Sequence, residues 1–135
     1  MKLTPELYWL TLVTLATAAM WIPYMLARIV TRGMLRTMGN PDPSLPADPA
    51  WAQRAQRAHT NAIENLVVFA PLVLVAAMIG ISTPSTIFAV KLYFFARLVH
   101  YCVYAIGIPV VRTLAFLAGF VAIVMFATTI LGHVA

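Results

Sequence analysis

Four apolar stretches, each long enough to cross a bilayer and separated by clusters of helix breakers, constrain this chain more than any other feature. They run over about residues 5–31, 50–81, 86–106 and 110–133, and a hydrocarbon core takes about 20 helical residues to cross. Lipid offers no partner for a free backbone amide, so each stretch is expected to be helical. The 135-residue chain is 62% hydrophobic with 10% charged residues, whereas soluble domains average about 45–50% apolar residues. The expectation is an all-α integral membrane protein, a four-transmembrane-helix bundle forming a single domain over residues 1–135.

The breakers punctuate this plan. Pro5 suits a helix start. Pro23 and Pro71 lie inside stretches and predict kinks, because the proline ring displaces the carbonyl four residues back. Gly33, Gly39, Asn40, Pro41, Pro43, Pro46 and Pro49 predict an exposed loop over 33–49 with neither helix nor strand. Ser82-Thr83-Pro84-Ser85 predicts a tight turn, and Gly107-Ile108-Pro109 a break. The N-terminal apolar run is preceded only by Lys2, countered by Glu6. It extends to Val30, too long for a removable signal segment, so a retained first span is expected. Cys102 stands alone in the chain. It forbids an intramolecular disulfide or a multi-cysteine metal site, and no metal is expected. Amid Val99, Tyr101 and Val103 it reads as a small buried hydrophobe.

The net charge is +5. In a soluble protein that would suggest nucleic acid, but arginines at helix ends set topology and meet anionic headgroups. Arg28, Arg32, Arg36, Arg54 and Arg57 flank the first loop, and Arg112 follows the third connection. The positive-inside rule then puts the 33–49 loop and the connection between the third and fourth helices in the cytoplasm.

Ionisable groups at membrane depth are costly and mark function by default. On the second helix Arg54, Arg57, Asn61 and Glu64 are spaced 3, 4, 3, which makes one stripe at 3.6 residues per turn. Interfacial snorkelling with an intrahelical Arg57–Asn61–Glu64 network is the plain reading of this stripe, and the favoured one for Arg54. Glu64 is harder to explain that way, because an apolar run follows it. On the third helix Arg97, His100 and Tyr104 share a face. Singly, His100 reads as a packing histidine and Tyr104 as an interfacial anchor. Together the two stripes collect arginines, a carboxylate, an amide and a phenol at one end of the bundle. Such a set suits an anionic ligand with planar carboxylates, held by arginine forks, and an ammonium paired by Glu64. The apolar helix faces suggest a second, lipophilic substrate. Glutathione fits these demands, but so do other anionic peptides and phosphates.

The stretch Arg57-Ala58-His59-Thr60-Asn61-Ala62-Ile63-Glu64 resembles the signature of MAPEG, the membrane-associated proteins in eicosanoid and glutathione metabolism. That signature reads Arg, any, His or Gln, any, Asn, two residues, Glu. Arg97, His100, Tyr104, Gly107, Pro109 and Arg112 match as well, and the Asn40-Pro41 loop is similar. The resemblance implies a homotrimer of four-helix protomers in a bacterial-type, microsomal glutathione transferase-like member. It implies glutathione between neighbouring protomers near the cytoplasmic side of a bacterial inner membrane. Arg57, His59, Asn61, Glu64, Arg97, His100 and Tyr104 would then hold the peptide, and Arg32 would reach it from the adjacent protomer. Arg112 would lie near the sulfur, with Thr113 donating a hydrogen bond to it.

The implied activity is conjugation of glutathione to lipophilic electrophiles in detoxification, with possible reduction of lipid hydroperoxides. Thr60 stands where prostaglandin-synthesising members carry arginine, which argues against that activity. The segment between Tyr104 and Arg112 is one residue shorter than in some eicosanoid enzymes. Non-catalytic accessory proteins that bind lipid or glutathione share the fold, and they are the alternative reading. A small transporter or proton relay using Glu64 and His100 is a third.

Overall fold

The computed structural model describes residues 1–134. Its elements in chain order are α1 Pro5–Ala19, α2 Trp21–Arg32, α3 Met34–Met38, α4 Ala50–Met78, α5 Pro84–Ile106 and α6 Pro109–Leu131. Four helices are long and apolar enough to span a membrane, α1 and α2 counting together as Pro5–Arg32. The all-α membrane bundle is therefore present, and no strand occurs among the described residues.

Pro23 acts as expected. Its ring bears on the carbonyl of Ala19, and the first span is interrupted at Met20, between α1 and α2. The hydroxyl of Tyr101 on α5 donates to the Met20 carbonyl at 2.8 Å, so the interruption is satisfied inside the bundle. α4 runs unbroken through Pro71. Helices α5 and α6 begin at Pro84 and Pro109, which occupy their first turns.

Two expectations need correction. The first loop is not free of helix, because Met34–Met38 forms α3. The run between Gly33 and Gly39 holds no breaker, and Gly33 at φ +85° turns the chain into it. Cys102 is exposed on the surface of α5 and not buried.

Tight packing along α4 comes from small residues. Ala52, Ala55, Ala58, Ala62 and Ala76 are buried at helical spacing and let neighbouring helices approach closely. Deeper in the bundle Phe69 stacks on Tyr93, their ring centroids 3.7 Å apart, and meets Phe126 edge-on. At the end away from the arginines, Glu6 is buried. Its carboxylate accepts from Ser82 Oγ at 3.0 and 3.1 Å and from Thr86 Oγ1 at 2.6 Å. Thr83 and Thr86 form the capping box of α5. Glu6 thus ties the start of the first span to the α4–α5 turn.

Candidate functional site

At the other end Arg54 joins the starts and ends of three helices. Its Nε donates to the Ala105 carbonyl at 3.0 Å. Its guanidinium carbon lies 3.3 Å from where a Cβ on Gly107 would stand. Gly107 has φ +94°, so glycine serves both the turn and this close approach. Arg54 is therefore engaged inside the protomer, not snorkelling at the membrane interface as the plain reading has it. By fixing the α5–α6 turn, it sets the relation of Tyr104 to Arg112.

Asn61 faces inward. Arg97, 1% exposed, donates from Nη2 to Asn61 Oδ1 at 2.6 Å and lies 3.4 Å from His100 Nδ1. Asn65 Nδ2 donates to the Asn61 carbonyl at 2.8 Å and reaches its Oδ1 at 3.3 Å. The Arg97 stem passes against Gly119 of α6. No carboxylate lies within ion-pairing distance of Arg97 among the described residues. Its charge rests on an amide and an imidazole.

His100 packs edge-on to Tyr104, and the Arg112 guanidinium lies over the Tyr104 ring, 4.6 Å from its centre. Asn61, His100, Tyr104, Arg112, Thr113 and Phe116 line a cleft of about 280 Å³. Among the described residues Arg112 has no hydrogen bond or ion pair, so its N–H groups are free for an anion. The Thr113 hydroxyl is in use, donating to the Pro109 carbonyl at 3.2 Å.

A profile described as the MAPEG family matches residues 7–132, nearly the whole chain. The chain belongs to the MAPEG family. Against individually curated proteins it finds no match.

The structure of this MAPEG chain brings together Asn61, Arg97, His100, Tyr104, Arg112 and Thr113, and leaves four other expected residues outside that cluster. His59 turns to the opposite side of α4, where its Nδ1 lies 2.8 Å from the Tyr24 hydroxyl of α2. Arg57 and Glu64 are exposed on the outer face of α4. Arg57 lines a second cleft of about 340 Å³ with Gln53, Gln56 and Thr60. The expected Arg57–Asn61–Glu64 network does not form, since Asn61 is engaged by Arg97 and Asn65. Arg32 Nε donates to the Pro46 carbonyl at 2.7 Å, within its own loop.

The MAPEG cleft also uses residues that sequence reading missed. Asn65 carried a signal, standing four residues after Asn61 on one helix face. Phe116 and Gly119 carried none, lying in an apolar run where any residue reads as lipid-facing. Among the described residues no group of three His, Cys, Asp or Glu side chains converges as a metal site would require.

Proposed function

We propose that this chain is a membrane glutathione transferase, working as a homotrimer, that conjugates glutathione to lipophilic electrophiles. One observation carries the reading. The polar residues of the motif are split between an inward cleft and the exposed outer face of α4. A single ligand touching Asn61 and Arg112 as well as Arg57 and Glu64 must therefore lie on the outside of the protomer, where a neighbour would cover it.

Helix length sharpens this argument. α4 has 29 residues, roughly 44 Å at about 1.5 Å per residue. Measured back from Met78, a hydrocarbon core about 30 Å thick reaches to about residue 59. Glu64 then lies inside the apolar slab, exposed, and with no ion pair among the described residues. A carboxylate facing lipid there is costly. A neighbouring protomer and the ammonium of glutathione relieve that cost together.

In this reading Arg57, Glu64, Asn61, His100 and Tyr104 anchor the peptide, Arg97 holds Asn61 in place from below, and Arg32 of the neighbour completes the site. Arg112 faces the sulfur. The thiolate attacks the electrophilic carbon, a sulfur–carbon bond forms, and the leaving group departs with its electron pair. A lipid hydroperoxide would be attacked at oxygen instead. Alcohol leaves, and a second glutathione releases the disulfide, with the second oxygen ending as water.

The direct test is conjugation of glutathione to a generic electrophile by the purified, detergent-solubilised protein. Glutathione bound without turnover favours the non-catalytic accessory reading, and neither binding nor turnover removes both. The shared site has its own test. Arg32→Ala and Arg57→Ala should each be inactive, yet co-expression should restore activity. Random mixing leaves about a quarter of the sites with both arginines. Mixed trimers without recovery would mean that each protomer holds its own site.

Sidedness is part of the proposal. A cysteine at Ser44, in a Cys102→Ala background, should resist an impermeant thiol reagent in intact cells and react after lysis. Labelling of intact cells would reverse the assignment of the 33–49 loop to the cytoplasm.

A further inference from the structure

Two buried side-chain atoms have no hydrogen-bond partner among the described residues, the hydroxyl oxygen of Tyr93 and Nε of Arg97. Both residues are 1% exposed. They stand four apart on α5, so their side chains are neighbours on one face of the helix. Each is fixed through its other atoms. The Tyr93 ring stacks on Phe69, which offers no acceptor, and Arg97 Nη2 is bound to Asn61. What is left over is one N–H donor and one hydroxyl, side by side where neither lipid nor bulk water reaches. Leaving such groups unmet costs free energy, and native interiors contain few of them.

The same two side chains border a gap. Gly119 of α6 faces them, and a Cβ placed on it would stand 3.6 Å from Arg97 Cδ, 3.9 Å from Tyr93 Cδ2 and 4.0 Å from Ala96 Cβ. Those are ordinary contact distances, so a methyl group would fit there without displacing a neighbour. The backbone does not call for glycine either. Gly119 lies inside α6 and is not among the glycines with positive φ, and alanine is the better helix former.

We propose that one internal water molecule occupies the gap at Gly119 and bridges Arg97 Nε to the Tyr93 hydroxyl. A methyl-sized space suits one water, and buried waters serve polar groups that are otherwise unmet, while voids lined only by apolar atoms stay dry. The water's oxygen accepts from the Nε–H, and the phenol supplies its second partner. A halide would suit the sign of the guanidinium, but two donors replace too little of its hydration shell. The water holds the guanidinium at Nε while Asn61 holds it at Nη2, and so links the aromatic stack to the polar cleft. Neither Tyr93 nor Gly119 has a part in the glutathione reading.

Gly119→Ala tests the site by the sign of its effect. In a dry gap the added methyl fills space and improves the helix, so the detergent-solubilised protein would melt higher. With the water present the methyl expels it and strands Nε, and the variant should melt several degrees lower. In an Arg97→Met, Tyr93→Phe background, with no polar atom left to serve, the same substitution should raise the midpoint. Arginine labelled with 15N reads the water directly and needs no such background. The Arg97 Nε–H signal, assigned by its loss in Arg97→Lys, should show a cross-peak to water. Gly119→Ala should abolish that cross-peak. Tyr93→Phe should keep it, whereas a direct bond from Nε to the phenol would leave none. A higher midpoint for Gly119→Ala alone, an equal fall in both backgrounds, an Nε–H without a water cross-peak, or a cross-peak that follows the chloride concentration would each overturn the site.

Discussion

Arg112→Leu should lower conjugation turnover by about a hundredfold, the scale for removing one group that stabilises developing or reacting negative charge, and should move the pH–rate profile to the alkaline side. A free thiol has a pKa of about 8.5. A neighbouring cation favours the charged thiolate and lowers that value, so losing the cation must raise it. Each unit is about 1.4 kcal/mol. Arg112 suits the role because it lines the cleft with its N–H groups unused, held only by its stacking over Tyr104. Glutathione affinity should change less than turnover. Glu64→Gln should do the reverse, weakening affinity by removing the partner of the ammonium. Thiolate absorbance of bound glutathione across pH reads the first effect directly. If Arg112→Leu leaves a depressed titration where it was, Arg112 does not activate the sulfur, and Arg32 becomes the candidate.

The second large effect is on stability. Asn61→Leu strips Arg97 of its shortest hydrogen bond while the guanidinium stays buried. Hydrogen bonds to charged groups contribute about 1.5–3 kcal/mol, and a buried charge left short of acceptors costs at least as much. The variant should unfold several degrees earlier in detergent and bind glutathione poorly. Arg97→Met on top of Asn61→Leu removes the stranded charge. Stability should then recover toward wild type, because replacing both partners by apolar groups is close to neutral, while activity should not. Equal stability of Asn61→Leu and wild type, or no recovery in the double variant, would show that the Arg97–Asn61 bond does not carry the charge. Thermal unfolding of all four proteins completes the cycle.

The spans were legible because length and apolarity alone decide them, and Pro23 announced the interruption at Met20. The stripe on α4 was legible as a stripe but not as a divided one. At about 100° per residue, Glu64 stands about 60° round the helix from Asn61, and Arg57 about 40°. That spread straddles the edge between the α4–α5 seam and the outer face, and one neighbour's position decides which residues turn inward. Glu6 was read only as a charge offsetting Lys2. Its partners Ser82 and Thr86 are 76 and 80 residues away, and no local pattern announces such a bond. His59 sits within the family signature, yet what it touches depends on where α2 falls after the break.

The break at Met20 makes the first span a jointed rod. Its α1 half is riveted to the α4–α5 turn through Glu6, and its α2 half is clipped to α4 through Tyr24 and His59. Between them, one phenol hydroxyl closes the joint. Tilting the α2 half carries Arg28, Arg32 and the tied loop along as a single arm, and leaves the aromatic stack of Phe69 and Tyr93 undisturbed. Such a tilt would have to slide the buried contacts of Tyr24 and Ala27 over Ala52 and Ala55, so the joint is held by that small cluster together with the Tyr101 hydroxyl.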